Sequence, residues 1–95
     1  MASVIGYLEI RLNIPQARSL KEKRGVMKRV IERLKNKFNV SVSEVDNQDK
    51  WQLGTIGVVT VGTSKQVVDA TLEKVVLFIE EIEPGAVLDY YKELL

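Results

Sequence analysis

The stretch Val4-Ile5-Gly6-Tyr7-Leu8-Glu9-Ile10-Arg11-Leu12-Asn13-Ile14, closed by Pro15 and followed by Ser19-Leu20-Lys21-Glu22, decides the fold of this 95-residue chain. Val4, Gly6, Leu8, Ile10, Leu12 and Ile14 share one face. Ile5, Tyr7, Glu9, Arg11 and Asn13 share the other. That period of two is a strand with one buried side. Ser19 with Glu22 forms a capping box. From it Leu20, Met27, Val30, Ile31, Leu34 and Phe38 recur with the 3.6-residue period of an amphipathic helix running to about Lys37. Gly25 weakens that helix near its start, by about 1 kcal/mol relative to Ala.

The pattern continues outward from there. Val40, Val42 and Glu44 alternate with Ser41, Ser43 and Val45 in a second, more polar strand, and Asp46-Asn47-Gln48-Asp49-Lys50 reads as a turn. Residues 53–62, rich in Val, Ile, Thr and Gly, make a third strand. Thr63 with Gln66 offers a second capping box for a helix whose core face carries Val68, Leu72, Val75, Val76, Ile79 and Ile82. Pro84-Gly85 stops it, and Ala86 to Tyr91 make a final strand. The order βαββαβ predicts a single α+β domain over 1–95, the ferredoxin-like arrangement of two helices on one face of a four-stranded antiparallel sheet. Right-handed crossovers place the first and third strands at its centre.

Composition narrows the chemistry. The chain has no cysteine and no histidine. Disulfides, thiolate metal sites and Cys nucleophiles are thereby excluded, and the commonest metal ligand and general base are missing. Asp46, Asn47 and Asp49 lack the spacing, the Gly and the distal Glu of a calcium loop. A capped turn is the better reading there, with Trp51 beside it as a packing anchor. Small acylphosphatases share this size and topology, but they need a Gly-rich anion loop carrying an Arg, and only Pro15-Gln16-Ala17-Arg18 follows the first strand here. The expectation is a protein that is not an enzyme, with no cofactor, no metal and no small-molecule substrate. Met1-Ala2-Ser3 has no basic leader character and no apolar run reaches the roughly 18 residues of a membrane span, so the expected location is cytoplasmic.

Charge is the positive signal. The formal total of +1 conceals ten bases against three acids in residues 1–38, a net of +7, and four bases against ten acids in residues 39–95, a net of −6. At about 100° per residue, Lys21, Arg24, Lys28 and Lys35 fall in a sector roughly 60° wide beside the apolar stripe of the first helix. With Arg18 they make a row suited to phosphates. Two other readings compete: a solvated face held by local pairs such as Lys28–Glu32, and a first helix complemented by the acidic second one, which carries Asp69, Glu73, Glu80, Glu81 and Glu83. The uncovered sheet face has no aromatic on the third strand, which argues against base stacking there. Tyr7 and Arg11 are weaker nucleic-acid candidates on that face. Ile5 and Tyr7, with one aliphatic face of the third strand, suggest instead a surface closed by a second copy.

Two blocks carry a family resemblance: Ala17-Arg18-Ser19-Leu20-Lys21-Glu22-Lys23-Arg24, continuing through Lys28 and Leu34, and Asn39 to Gln52, which reads NVSVSEVDNQDKWQ. Together they resemble the YlxP-like family of small bacterial proteins, over nearly the whole chain. Leu53-Gly54 stands where that family often has a basic residue and Ala. The resemblance implies a ferredoxin-like fold and a protein of unsettled function, often encoded beside translation initiation and ribosome maturation factors; no catalytic residue carries over, because the family has no established one. The leading expectation is an RNA- or ribosome-associated binding protein, with rRNA or a ribosomal subunit as partner. The alternative is a homo-oligomeric assembly module whose basic helix meets an acidic protein.

Overall fold

In the computed structural model, which describes residues 3–95, β1 (Val4–Asn13) occupies the middle of a four-stranded sheet of order β2-β3-β1-β4. Met1 and Ala2, on which the leader reading rests, lie outside the described residues. The other elements are α1 (Leu20–Lys37), β2 (Ser41–Asp46), β3 (Leu53–Gly62), α2 (Lys65–Ile82) and β4 (Val87–Leu94). Every pairing is antiparallel, with β1 and β3 adjacent at the centre. This is the ferredoxin-like α+β fold.

The alternation in β1 decides where the core lies. Leu8, Ile10 and Leu12 are buried, and they meet Met27, Val30 and Leu34 of α1 and Leu72, Val75 and Ile79 of α2 in one cluster. Two glycines set how closely the helices sit. A Cβ on Gly6 of β1 would come within 2.5 Å of Val68 Cγ1 and 3.0 Å of Leu72 Cδ1, so α2 rests directly on the β1 backbone. A Cβ on Gly54 of β3 would come within 2.8 Å of the Met27 thioether and 3.3 Å of Lys23 Cε, so α1 is seated in the same way. Gly25 is exposed with open space around it, so no close approach explains it.

Several local details differ from the sequence reading. Ser19 caps α1 as expected, accepting from the Glu22 N–H at 3.1 Å, but the Glu22 carboxylate reaches back to the N–H of Arg18 rather than that of Ser19. The cap of α2 is Ser64, not Thr63: its hydroxyl accepts from Val67 N–H. β4 extends to Leu94 instead of stopping at Tyr91, because its ladder with β1 continues to the pair Gly6–Leu94.

The largest departure lies in the stripe of α1. Lys23 has no solvent-accessible surface. Its ammonium donates to Glu44 of β2 at 2.5 Å and to the backbone carbonyl of Asn47 at 2.8 Å. Glu44 faces α1 because it follows Val42 by two along β2. A β-bulge between Glu44 and Asp46 then turns the chain toward the β2–β3 loop.

Two expectations follow for stability, measurable by chemical denaturation. Gly6→Ala should cost about 1–3 kcal/mol, because β-branched Val68 cannot swing away. Gly54→Ala should cost less, because the end of Met27 is flexible. Lys23→Ala should cost about 3 kcal/mol by stranding Glu44 without its partner, whereas Lys23→Met with Glu44→Leu should recover much of that loss.

Candidate nucleic-acid interface

The two flanks of α1 have different electrostatic surroundings. One flank faces α2. There Arg29 pairs with Glu83 at 2.5 Å, the Arg33 guanidinium lies 5.5 Å from the Phe78 ring centroid, and the Lys37 ammonium lies 5.1 Å from it. Phe38 packs edge-to-face on Phe78 at 5.8 Å. These three cations are held by the fold.

The other flank carries Lys21, Arg24, Lys28 and Lys35, all exposed. Its position follows from the helix rotation: about 100° per residue turns this row away from the Arg33–Lys37 side, so it runs above the free β2 edge of the sheet. Among the described residues none of the four makes an ion pair, and neither does Arg18 at the foot of the helix. The Lys28–Glu32 pair is not formed.

Most acids of the second half are engaged elsewhere. Asp69 and Glu73 of α2 both hold Lys92 of β4 at 2.7 Å, which keeps the Lys92 ammonium above its ordinary range through those two hydrogen bonds. Glu73 also accepts from the Tyr90 hydroxyl. Glu80 accepts from the N–H groups of Gly85 and Val87, closing the α2–β4 turn. Only Glu83, just past the end of α2, crosses to α1. The idea that the acidic helix neutralises the basic one therefore reduces to a single contact.

The uncovered sheet face is sorted differently. Arg11 donates to both oxygens of Asp89 at 2.8 and 2.6 Å, and that hydrogen bonding holds the Asp89 carboxyl below the usual carboxylate range. The cation of Arg11 is thus answered within the chain. Tyr7 is half-buried. Burial, and then neighbouring Glu9, push its phenol upward, and the Glu93 carboxylate does the same to Tyr91 through a hydrogen bond. This part of the face is acidic. Toward the other end, Ile5, Val59, Val61 and Leu95 form an exposed apolar patch, with Ile5 paired to Val61 and hydrogen-bonded through its backbone to Leu95.

The β2–β3 turn is built on Asn47, whose φ of +64° is the left-handed conformation that Asn tolerates. Its side-chain oxygen accepts from Thr55 at 2.6 Å, and its carbonyl accepts from Lys23 and from the Lys50 N–H. Asp46 accepts from the Asn47 N–H. Two of the three oxygen-bearing side chains here are thus engaged in holding the turn, and among the described residues no three metal-ligating side chains gather. Trp51 is not the packing anchor expected of it: it is 52% exposed, beside a hollow of about 420 Å³ lined by Asn13, Asp49, Lys50, Gln52 and Leu53. Sequence position alone cannot show this, because the hollow joins the end of β1 to the start of β3. Among the described residues no helix is long and apolar enough to cross a membrane.

Comparison with known proteins agrees with the architecture. The designed protein Foldit4 superposes with a TM-score of 0.57 at 15% identity, covering 98% of this chain and 96% of that one. A variant of SnoaB, a cofactor-independent oxygenase from Streptomyces nogalater, superposes with a TM-score of 0.51 at 12% identity, covering 97% and 90%. At such identities the likeness concerns the fold alone. Sequence similarity is more specific: "Uncharacterized protein YlxP" of Bacillus subtilis (strain 168) is 44% identical over 77 residues, 81% of this chain and 84% of that protein. The family described as "Protein of unknown function (DUF503)" matches residues 5–92. With the fold, the two sequence blocks and this match in agreement, the chain belongs to the YlxP-like DUF503 family.

Proposed function

We propose that this protein is a non-catalytic RNA-binding protein of the translation apparatus that engages phosphates through the outer flank of α1. The observation that carries this reading is the row Lys21, Arg24, Lys28 and Lys35, with Arg18 below it: exposed cations left without carboxylate partners, while Asp69, Glu73 and Glu80 of α2 are occupied by Lys92 and by backbone amides. A row of fourteen residue steps spans about 21 Å, long enough to follow several phosphates. The contacts are with the phosphate backbone, so recognition is by charge and shape. A structured RNA such as rRNA, or the ribosomal subunit containing it, supplies that kind of surface.

A second reading rests on the apolar patch of Ile5, Val59, Val61 and Leu95, which fits a homo-oligomer closed through the sheet face. The two readings use opposite sides of the sheet and are compatible.

For the first, neutralising four or five phosphates lowers affinity for an rRNA fragment about 50- to 500-fold between 50 and 200 mM salt. Lys21→Glu with Lys28→Glu should weaken binding further and reduce the steepness of the salt dependence. Binding that ignores both salt and the double substitution would remove the row from the site. For the second, light scattering should show an oligomer that Val61→Lys converts to a monomer.

A further inference from the structure

We infer that Trp51 is a stacking platform for one unpaired nucleobase, placed where the cationic row of α1 begins. The inference rests on the phosphate-binding reading of that row and adds a second kind of contact to it.

A large aromatic ring that is half exposed forgoes the packing a buried indole would gain and offers a flat apolar face to a ligand. The loop that presents it is pinned on both sides. Before it, Asn47 is clamped by Lys23 and Thr55. After it, the Gln52 side-chain amide donates to the carbonyls of Pro15 and Ala17 at 3.3 and 3.2 Å, and the Gln52 carbonyl accepts from Ile14 N–H at 2.9 Å. A loop held from two fixed points loses little conformational freedom when a flat ligand settles on the indole it carries.

The surroundings match a base rather than an aliphatic ligand. The hollow beside the ring is lined by Asn13, Asp49 and Lys50, residues that carry an amide, a carboxylate and an ammonium. These donors and acceptors suit the edge of a heterocycle, with a cation for its phosphate. The same pins also set the location. Lys23 lies two residues from Lys21, and Ala17 precedes Arg18, so the contacts that hold the Trp51 loop are made at the foot of the row. Asn13 and its partner Leu53 belong to the uncovered face, so a single strand whose phosphates follow Lys28, Arg24 and Lys21 reaches the indole by passing round the foot of α1. Stacking of this kind tolerates any base.

Trp51 is the only tryptophan in the chain, so its emission reports on the site directly. The probes are a single-stranded ten-nucleotide oligo(A) RNA and inorganic polyphosphate, each titrated at low salt. Both should bind and both should be released by salt, but only the RNA should quench Trp51 emission. Trp51→Ala should weaken RNA binding about 5- to 150-fold, with polyphosphate affinity unchanged, and Trp51→Phe should keep most of the RNA affinity. Equal quenching by polyphosphate, or RNA affinity indifferent to Trp51→Ala, would overturn the stacking site and leave the row standing. Failure of both probes to bind would remove the row and the platform together.

Discussion

An ammonium group without access to water must find acceptors inside the fold, and Lys23 has two, the Glu44 carboxylate and the Asn47 carbonyl. Much of the arrangement at this end of the molecule depends on them. The pair fixes α1 over β2 at one rotation and one axial position, because a shift of the helix would leave a buried charge unanswered. With α1 held so, Met27 comes down on Gly54, and the left-handed turn at Asn47 is gripped from above by Lys23 and from the strand by Thr55. The Trp51 loop inherits its position from that grip and from the Gln52 amide.

The same rotation divides the cations of α1. Arg29, Arg33 and Lys37 turn toward α2, where a carboxylate and the face of Phe78 receive them. Lys21, Arg24, Lys28 and Lys35 turn toward solvent above the β2 edge. Asp69, Glu73 and Glu80, which might have answered them, are turned to β4 or the turn after α2. Opposite charge within one chain therefore does not cancel on this flank, because Asp69, Glu73 and Glu80 are held by β4 and the turn after α2, and Glu83 meets α1 on its other flank. A field concentrated on one side of a nearly neutral protein attracts polyanions without making the whole surface sticky.

The uncovered sheet face stands apart from that charged flank. Its centre holds Glu9, Glu93 and the Arg11–Asp89 pair, and its apolar end holds Ile5, Val59, Val61 and Leu95. Acidic groups in the middle make it a poor surface for phosphates, while the apolar end suits protein contact. Two surfaces of different chemistry thus lie on opposite sides of one sheet.

The order of elements, the buried face of β1 and the amphipathic faces of both helices were legible in the sequence, because periods of two and 3.6 are local properties of the chain. The row on α1 was legible for the same reason. Lys23 falls between Val30 and Leu34 when the helix is viewed down its axis, yet its burial was not legible. Its charge obscured the pattern, since a lysine on an apolar stripe is readable only once its partner is known. That partner is 21 residues away on another element. The cap at Ser64 was not legible, because Thr63 and Ser64 are chemically equivalent neighbours and only the helix start distinguishes them. Sequence alone determined the fold and the list of cations. Tertiary structure decided which cations are free and that Trp51 is displayed, since both depend on carboxylates, carbonyls and amides brought together from distant segments.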